Sequence, residues 1–362
     1  MIYTIIFYIL IAVITFGGKN SALKWSCVIL AIYCGLRYDY MPDYMHYYNA
    51  FEEFANANYI YDSDYSHYEY GWYLLNRLFS PMGFFTFVFI CSSVFAYGVF
   101  CLIDCFNIDK KLLPIVLIGY CVSPSVAVLC SAQRQFVVAS IFMIAYKFLL
   151  HDNIGNISAL YSKKYFLYYG VILICSTLHS SAVFLLIIPF IGLIPHGTKK
   201  CMMVSIMLFL AFIILGERYL PLVLNHYIEK TETYEYLDLD KSDTSAGFTY
   251  LAMLNIGFQV LFFSYVLSIK NLSKQEKCAI LLAFLSLMLN ISIHFVPQLY
   301  RISMYISLFS FISISILYQK VPYRYKKIYL LAMWIFTIWT ALKVFQPAPY
   351  SWAEYKTIFS IL

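Results

Sequence analysis

The sequence predicts an all-α polytopic membrane protein with about ten to twelve transmembrane helices. Three observations carry that prediction. Of 362 residues, 62% are hydrophobic and only 12% are charged, about half the charge of an ordinary soluble chain. The apolar character runs along nearly the whole length, with a mean hydropathy of +0.73. Polar clusters cut it into stretches close to the roughly 20 residues that a helix needs to cross a bilayer. A soluble fold is excluded. The whole chain, 1–362, is expected to form a single polytopic domain with two larger outer loops, 37–82 and 218–247.

Taken in order, spans are expected near 2–17, 22–36, 83–103, 112–130, 136–150, 165–179, 181–195, 201–217, 248–269, 278–293, 300–318 and 328–346. Met1 leads directly into an apolar run with no basic n-region and no cleavage site, so that run reads as a first span rather than a signal peptide. The stretches 112–150 and 165–195 are each too long for one span and slightly short for two. They are split at Arg134 and at His179, where a tight hairpin can turn the chain at the membrane face. The ten Cys lie almost entirely inside apolar runs and read as packing residues.

With both termini outside, 16 of the 25 Lys and Arg fall in the cytoplasmic connections and 15 of the 19 Asp and Glu fall outside. That is the orientation the positive-inside rule requires. The net charge of +6 does not point to nucleic acid, because the basic residues are spread over short loops without a basic block. Five of the six Arg (Arg37, Arg77, Arg134, Arg218, Arg301) are expected outside and only Arg324 inside. Topology is indifferent to the choice between Lys and Arg, whereas a planar five-donor fork suits phosphate or carboxylate. Arg77 and Arg218 lie among outer acids that could simply pair with them. Arg134 and Arg301 end apolar runs with no acidic neighbour in sequence.

The first outer segment contains eleven Tyr and Trp72. Tyr44, Tyr47, Tyr48, Phe51 and Phe54 recur at helical spacing behind a capping Asp43, which predicts an amphipathic surface helix over 43–57. Ser66 and Glu69 have capping-box spacing, which predicts a second helix starting near Ser66 and running through Phe79. Aromatic belts account for part of the Tyr content. Rings among carboxylates and amides are also what a sugar cleft uses, and Tyr44, Trp72, Asn76 and Gln133 are the candidates for glycan contact. The acidic 218–247 segment reads either as a solvated face or as a lid.

Ionisable groups at membrane depth cost roughly 2.5–3.5 kcal/mol and are usually retained for a task. Here Arg37, Gln133 with Arg134, His179 with Ser180 and Ser181, and Asn290, His294, Gln298 and Arg301 all fall at outer helix ends. Cations and donors brought to one leaflet describe a site for an anionic lipid headgroup. Arg37, Arg134 and Arg301 are its expected clamp. Asp43, Glu69 and His179 are the candidates for proton transfer, and His179 could instead contact phosphate as a cation.

The run Gly35-Leu-Arg-Tyr38, then Asp43-Tyr44, then Glu69-Tyr-Gly-Trp-Tyr-Leu-Leu-Asn76 resembles the EpsG-like branch of the Wzy-type polysaccharide polymerases. Arg134-Gln135, His179-Ser-Ser-Ala182 and Arg301 before Met304-Tyr305 are similar to that family's pattern as well. One departure is Asp39-Tyr-Met-Pro42, where family members often carry Gly with Thr or Ser. The resemblance implies transfer of a growing glycan from undecaprenyl pyrophosphate to the next lipid-linked repeat unit, on the outer face of a bacterial cytoplasmic membrane. It implies no cofactor or metal, and a flippase and a chain-length regulator as working partners. No glycine-rich nucleotide cradle is present. Three alternatives remain. A polyprenyl-phosphate-sugar glycosyltransferase could use Asp62-Ser63-Asp64, and an O-acyltransferase could use His179. A lipid-linked oligosaccharide flippase should instead carry its charges near the bilayer midplane.

Overall fold

The computed structural model describes residues 2–17, 22–39, 43–60, 63–150, 157–193, 269, 271–291, 299–345 and 356–357. The expected spans 201–217 and 248–269, the 218–247 loop with Arg218, Asp62, and residues His294 and Gln298 lie outside or almost outside that set. The described chain is mostly helical. It divides into two compact units, residues 1–190 with 311–362, and residues 191–310.

The first unit contains α1 (Ile2–Phe16), α2 (Ala22–Gly35), α3 (Asp43–Asn56), α4 (Tyr70–Phe79), α5 (Phe84–Cys105), α6 (Leu113–Val122), α7 (Pro124–Ser131), α8 (Gln133–Ala145) and α9 (Lys163–Leu178). A 3₁₀ segment over Ser180–Ile187 and the short α10 (Ile188–Ile191) follow. In the second unit α11 (Lys274–Ile291) packs on α12 (Leu299–Ser307), where Ser286 Oγ donates to the Ser303 carbonyl at 3.2 Å. Helix α13 (Phe309–Lys320) begins at the end of the second unit; from Phe311 on, it and α14 (Lys326–Phe345) belong to the first. Helices α1, α2, α5, α9 and α14 follow the expected apolar runs closely, because each of those runs ends where polar residues begin.

Among the described residues, α5 (Phe84–Cys105) and the helical stretch Arg301–Lys320, made of most of α12 and all of α13, are long and apolar enough to cross a bilayer. Ile5–Phe16, Ala22–Gly35 and Ser180–Ile191 are shorter apolar helices. The run 112–130 is not one helix as expected. Pro124 has no N–H to donate and pushes Ser123 to extended ψ 126, so α6 ends there and α7 restarts with proline in its first turn. The next break falls at Ala132, with ψ 75, so Arg134 lies in the first turn of α8 rather than at the break itself.

Helix α5 packs against both α2 and α8. A Cβ at Gly98 would come 2.9 Å from the Ser140 carbonyl, so glycine lets α5 lie close on α8. Phe95 stacks on Phe136 across the same contact at 4.7 Å. Among the described residues the all-helical expectation has one small exception: Arg37–Tyr38 pairs antiparallel with Lys356–Thr357. The cysteines of the described residues are free and buried, except the exposed Cys105.

Candidate functional site

Three chain breaks or helix starts meet in the first unit. The first is the start of α4. Helix α3 forms where expected and buries Tyr44, Tyr47, Ala50, Phe51 and Phe54, but the second surface helix begins later than the capping-box spacing predicts. Ser66 sits in a turn, its N–H donating to the Ser63 carbonyl at 3.1 Å. The helix starts at Tyr70 with Glu69 as the residue before it, and the Glu69 side chain makes no capping bond. The capping-box expectation fails because that carboxylate has stronger partners elsewhere. Gly71 sets its position. A Cβ there would lie 2.5 Å from the Thr177 carbonyl oxygen and 2.8 Å from the carbonyl carbon, so only glycine lets the first turn of α4 close on the end of α9.

The second is the break before α8. Arg134 forms an ion pair with the Glu69 carboxylate, its Nη1 donating to Oε2. No acidic residue neighbours Arg134 in sequence, yet the fold supplies one from 65 positions away. Its guanidinium also lies over the Tyr68 ring at 3.9 Å, and Nε donates to Tyr47 Oη at 3.4 Å. An aromatic floor and a charge-assisted bond together hold the fork in place.

The third is the break at His179, which has extended backbone (φ −157, ψ 122) and separates α9 from the 3₁₀ segment. Its neighbour Ser180 donates its backbone N–H to Glu69 Oε1 at 2.7 Å. The His179 Nδ1 accepts the Ser181 N–H at 3.1 Å and lies 3.0 Å from Ser181 Oγ. At 3.9 Å it is beyond hydrogen-bond reach of Glu69 Oε1. A ring nitrogen that accepts a hydrogen bond carries no proton, so this geometry belongs to the neutral imidazole. The His179 Nε2 lies 3.2 Å from the Gln135 amide nitrogen. Gln135 Oε1 is a buried acceptor without a partner, and it satisfies the ring best when it faces Nε2.

Burial pushes the Glu69 carboxyl upward, but the Arg134 guanidinium and the Ser180 N–H outweigh it, and its pKa falls below the ordinary carboxylate value. Burial, followed by Arg134, likewise lowers His67. Side-chain exposure of 15% for Arg134, 20% for Glu69 and 4% for His179 leaves the ion pair reachable while the imidazole is enclosed.

The other expected site residues are placed differently. Arg37 is 1% exposed, with Nη1 donating to the Cys34 carbonyl and, at 3.2 Å, to Ser92 Oγ, and its guanidinium lies 4.9 Å from the centre of the Phe136 ring. Tyr44 and Trp72, expected to offer ring faces to a glycan, are 0% and 1% exposed and act as core. The Tyr44 hydroxyl donates to the Arg37 carbonyl at 2.9 Å, and Trp72 packs edge-on to Tyr47 at 5.9 Å. Asn76 and Gln133 are buried. Their amide nitrogens donate to the Trp72 and Cys130 carbonyls, while Asn76 Oδ1 and Gln133 Oε1 are left as buried acceptors without partners. Asp43 is exposed, with its N–H donating to Ser131 Oγ at 3.1 Å. Arg77 donates to the Asn58 carbonyl and Tyr73 Oη rather than simply pairing with an acid. Arg301 lies on α12, in the second unit.

Tyr47, Tyr68, Gln135 and the Ser180 N–H belong to this cluster; sequence reasoning placed Tyr47 on the stripe of α3, Gln135 in the family pattern and Ser180 among the outer-end polar residues, but joined none of them to Glu69. The two tyrosines were hidden among eleven, and a backbone donor has no sequence signature. Only Gln135, next to Arg134 at an interrupted apolar run, carried a usable signal.

No curated protein and no solved structure matches the chain. The model of the EpsG family, a Wzy-like family of polysaccharide polymerases, matches residues 22–357, nearly the whole sequence, and the chain therefore belongs to the EpsG family.

Proposed function

We propose that this polysaccharide polymerase transfers a growing glycan from a polyprenyl pyrophosphate, undecaprenyl pyrophosphate in bacteria, onto the next lipid-linked repeat unit. The reaction is placed on the outer face of the cytoplasmic membrane, with the helices as a polytopic bundle and both termini outside. The distribution of basic and acidic residues supports that orientation. A flippase would supply the repeat units and a chain-length regulator would act on the product.

The single observation that carries the reading is the convergence of Arg134, Glu69 and His179 from three separate elements. In the proposed chemistry the acceptor hydroxyl oxygen attacks the anomeric carbon of the donor. The bond from that carbon to the pyrophosphate oxygen breaks, its electron pair stays on the pyrophosphate, and the hydroxyl proton passes to a base. Arg134 stabilises the charge that develops on the leaving phosphate, and its fixed fork needs no rearrangement to do so. Glu69 is the proton acceptor. His179 is a positioning residue, because its neutral ring caps the 3₁₀ segment that delivers the Ser180 N–H. Arg37 is proposed as a further phosphate contact, Asp43 as a second carboxylate and Asn76 and Gln133 as glycan contacts.

Glycan analysis of a strain lacking the chain tests the proposal. Loss of polymer with a single repeat unit still attached is the expected result. Loss of the repeat unit itself would point to an earlier step, and unchanged polymer would refute the proposal.

A further inference from the structure

The Glu69 carboxylate lies where an anion would. Two donors from different elements converge on it, the Arg134 guanidinium and the Ser180 backbone N–H. Neither needs the carboxylate to stay in place. Arg134 is held independently by Tyr47 Oη and the Tyr68 ring. The Ser180 N–H is set by the extended backbone at His179 and by the Nδ1 cap on Ser181. When the carboxylate leaves, the donor pair remains. Glu69 is also free to leave, since it precedes α4, makes no capping bond to it and keeps 20% of its side chain exposed. Guanidinium and backbone N–H groups bind phosphate oxygens as readily as carboxylate oxygens.

We infer, resting on the phosphate reading above, that Glu69 holds the position of a donor phosphate oxygen, and that a pyrophosphate group displaces it from Arg134 and Ser180. The Ser180 N–H then becomes a further phosphate-binding group. The displaced carboxylate loses both donors and becomes the stronger proton acceptor that the transfer requires. The base is thus available only after the donor is seated, so donor binding precedes proton removal from the acceptor.

The test is binding of inorganic pyrophosphate and, separately, of a polyprenyl pyrophosphate to the full chain in detergent, by calorimetry. Wild type, Glu69→Gln, Glu69→Ala and Arg134→Gln are compared, each first confirmed folded by thermal unfolding. A displaced carboxylate competes with the ligand, so both Glu69 variants should bind roughly tenfold tighter or better than wild type. Arg134→Gln should bind weakly or not at all. Tightening with both probes identifies the oxyanion alone as the ligand. Tightening with the polyprenyl probe only identifies the lipid headgroup as its source. Unchanged or weaker binding in both Glu69 variants would overturn the inference, because it would mean that Glu69 holds Arg134 in place, and the phosphate reading would survive. If neither probe binds any of the four proteins, the phosphate reading itself falls.

Discussion

Replacing Gly71 by Ala adds one methyl group at the contact that delivers Glu69 to its partners. The new Cβ would sit 2.5 Å from the Thr177 carbonyl oxygen, about 1 Å inside an ordinary contact. Backbone cannot rotate away as a side chain would, so α4 and the end of α9 must separate by a comparable amount. Thr177→Ala does not relieve this, because it removes only the hydroxyl and leaves the carbonyl. Overpacking of this size costs about 1–3 kcal/mol of stability. A displacement of about 1 Å at a reacting group costs on the order of 10²-fold in rate. The initial rate of polymer formation from purified lipid-linked repeat units, at matched amounts of folded protein, measures it. Gly170→Ala is the control. No atom lies within 4 Å of a Cβ there, so that variant should keep wild-type activity and gain about 0.5–1 kcal/mol in helix α9. A Gly71→Ala protein that folds normally and polymerises at the wild-type rate would refute the placement of Glu69.

Tyr68→Leu removes the ring beneath Arg134 and should weaken donor binding by about 0.5–2 kcal/mol, seen as a raised KM for lipid-linked donor, while Tyr68→Phe keeps the ring and should bind as wild type. The lowered pKa of Glu69 means that its ion pair stabilises the fold above the ordinary carboxylate value of 4.5 and is lost as pH falls through the depressed folded value. Wild type should therefore lose thermal stability below about pH 4.5, and Glu69→Gln should show a shallower loss across the same scan. His179→Asn retains a side chain that can cap the 3₁₀ segment but loses the bond to Gln135. Near-normal stability and near-normal kcat are expected, whereas His179→Ala, which loses the cap, should lower kcat; a sharp fall in kcat with His179→Asn would contradict a purely positioning role.

Much of the fold was legible in the sequence. The apolar runs located α1, α2, α5, α9 and α14 because hydrophobic length and polar boundaries are local properties. The helical stripe Tyr44, Tyr47, Phe51, Phe54 identified the buried face of α3 for the same reason. The break at His179 was readable as a polar interruption, whereas Pro124 was an available signal that length arguments overrode. The start of α4 was misplaced because Ser66-to-Glu69 spacing describes a local bond, and the Glu69 carboxylate is taken by Arg134 and Ser180 from distant elements. The pairing of Glu69 with Arg134, and the burial of Tyr44 and Trp72, arise only when α3, α4, α8 and α9 assemble.

Arg134→Lys in a reconstituted reaction is the most direct measurement of the central claim. Lysine keeps the charge but removes the fork that pairs with Glu69 and is proposed to hold the leaving phosphate. Purified full chain supplied with lipid-linked repeat units should give a polymer ladder and free polyprenyl pyrophosphate with wild type. The Arg134→Lys protein should leave single repeat units on their lipid. A wild-type ladder from folded Arg134→Lys protein, or release of polyprenyl monophosphate in place of pyrophosphate, would contradict the account.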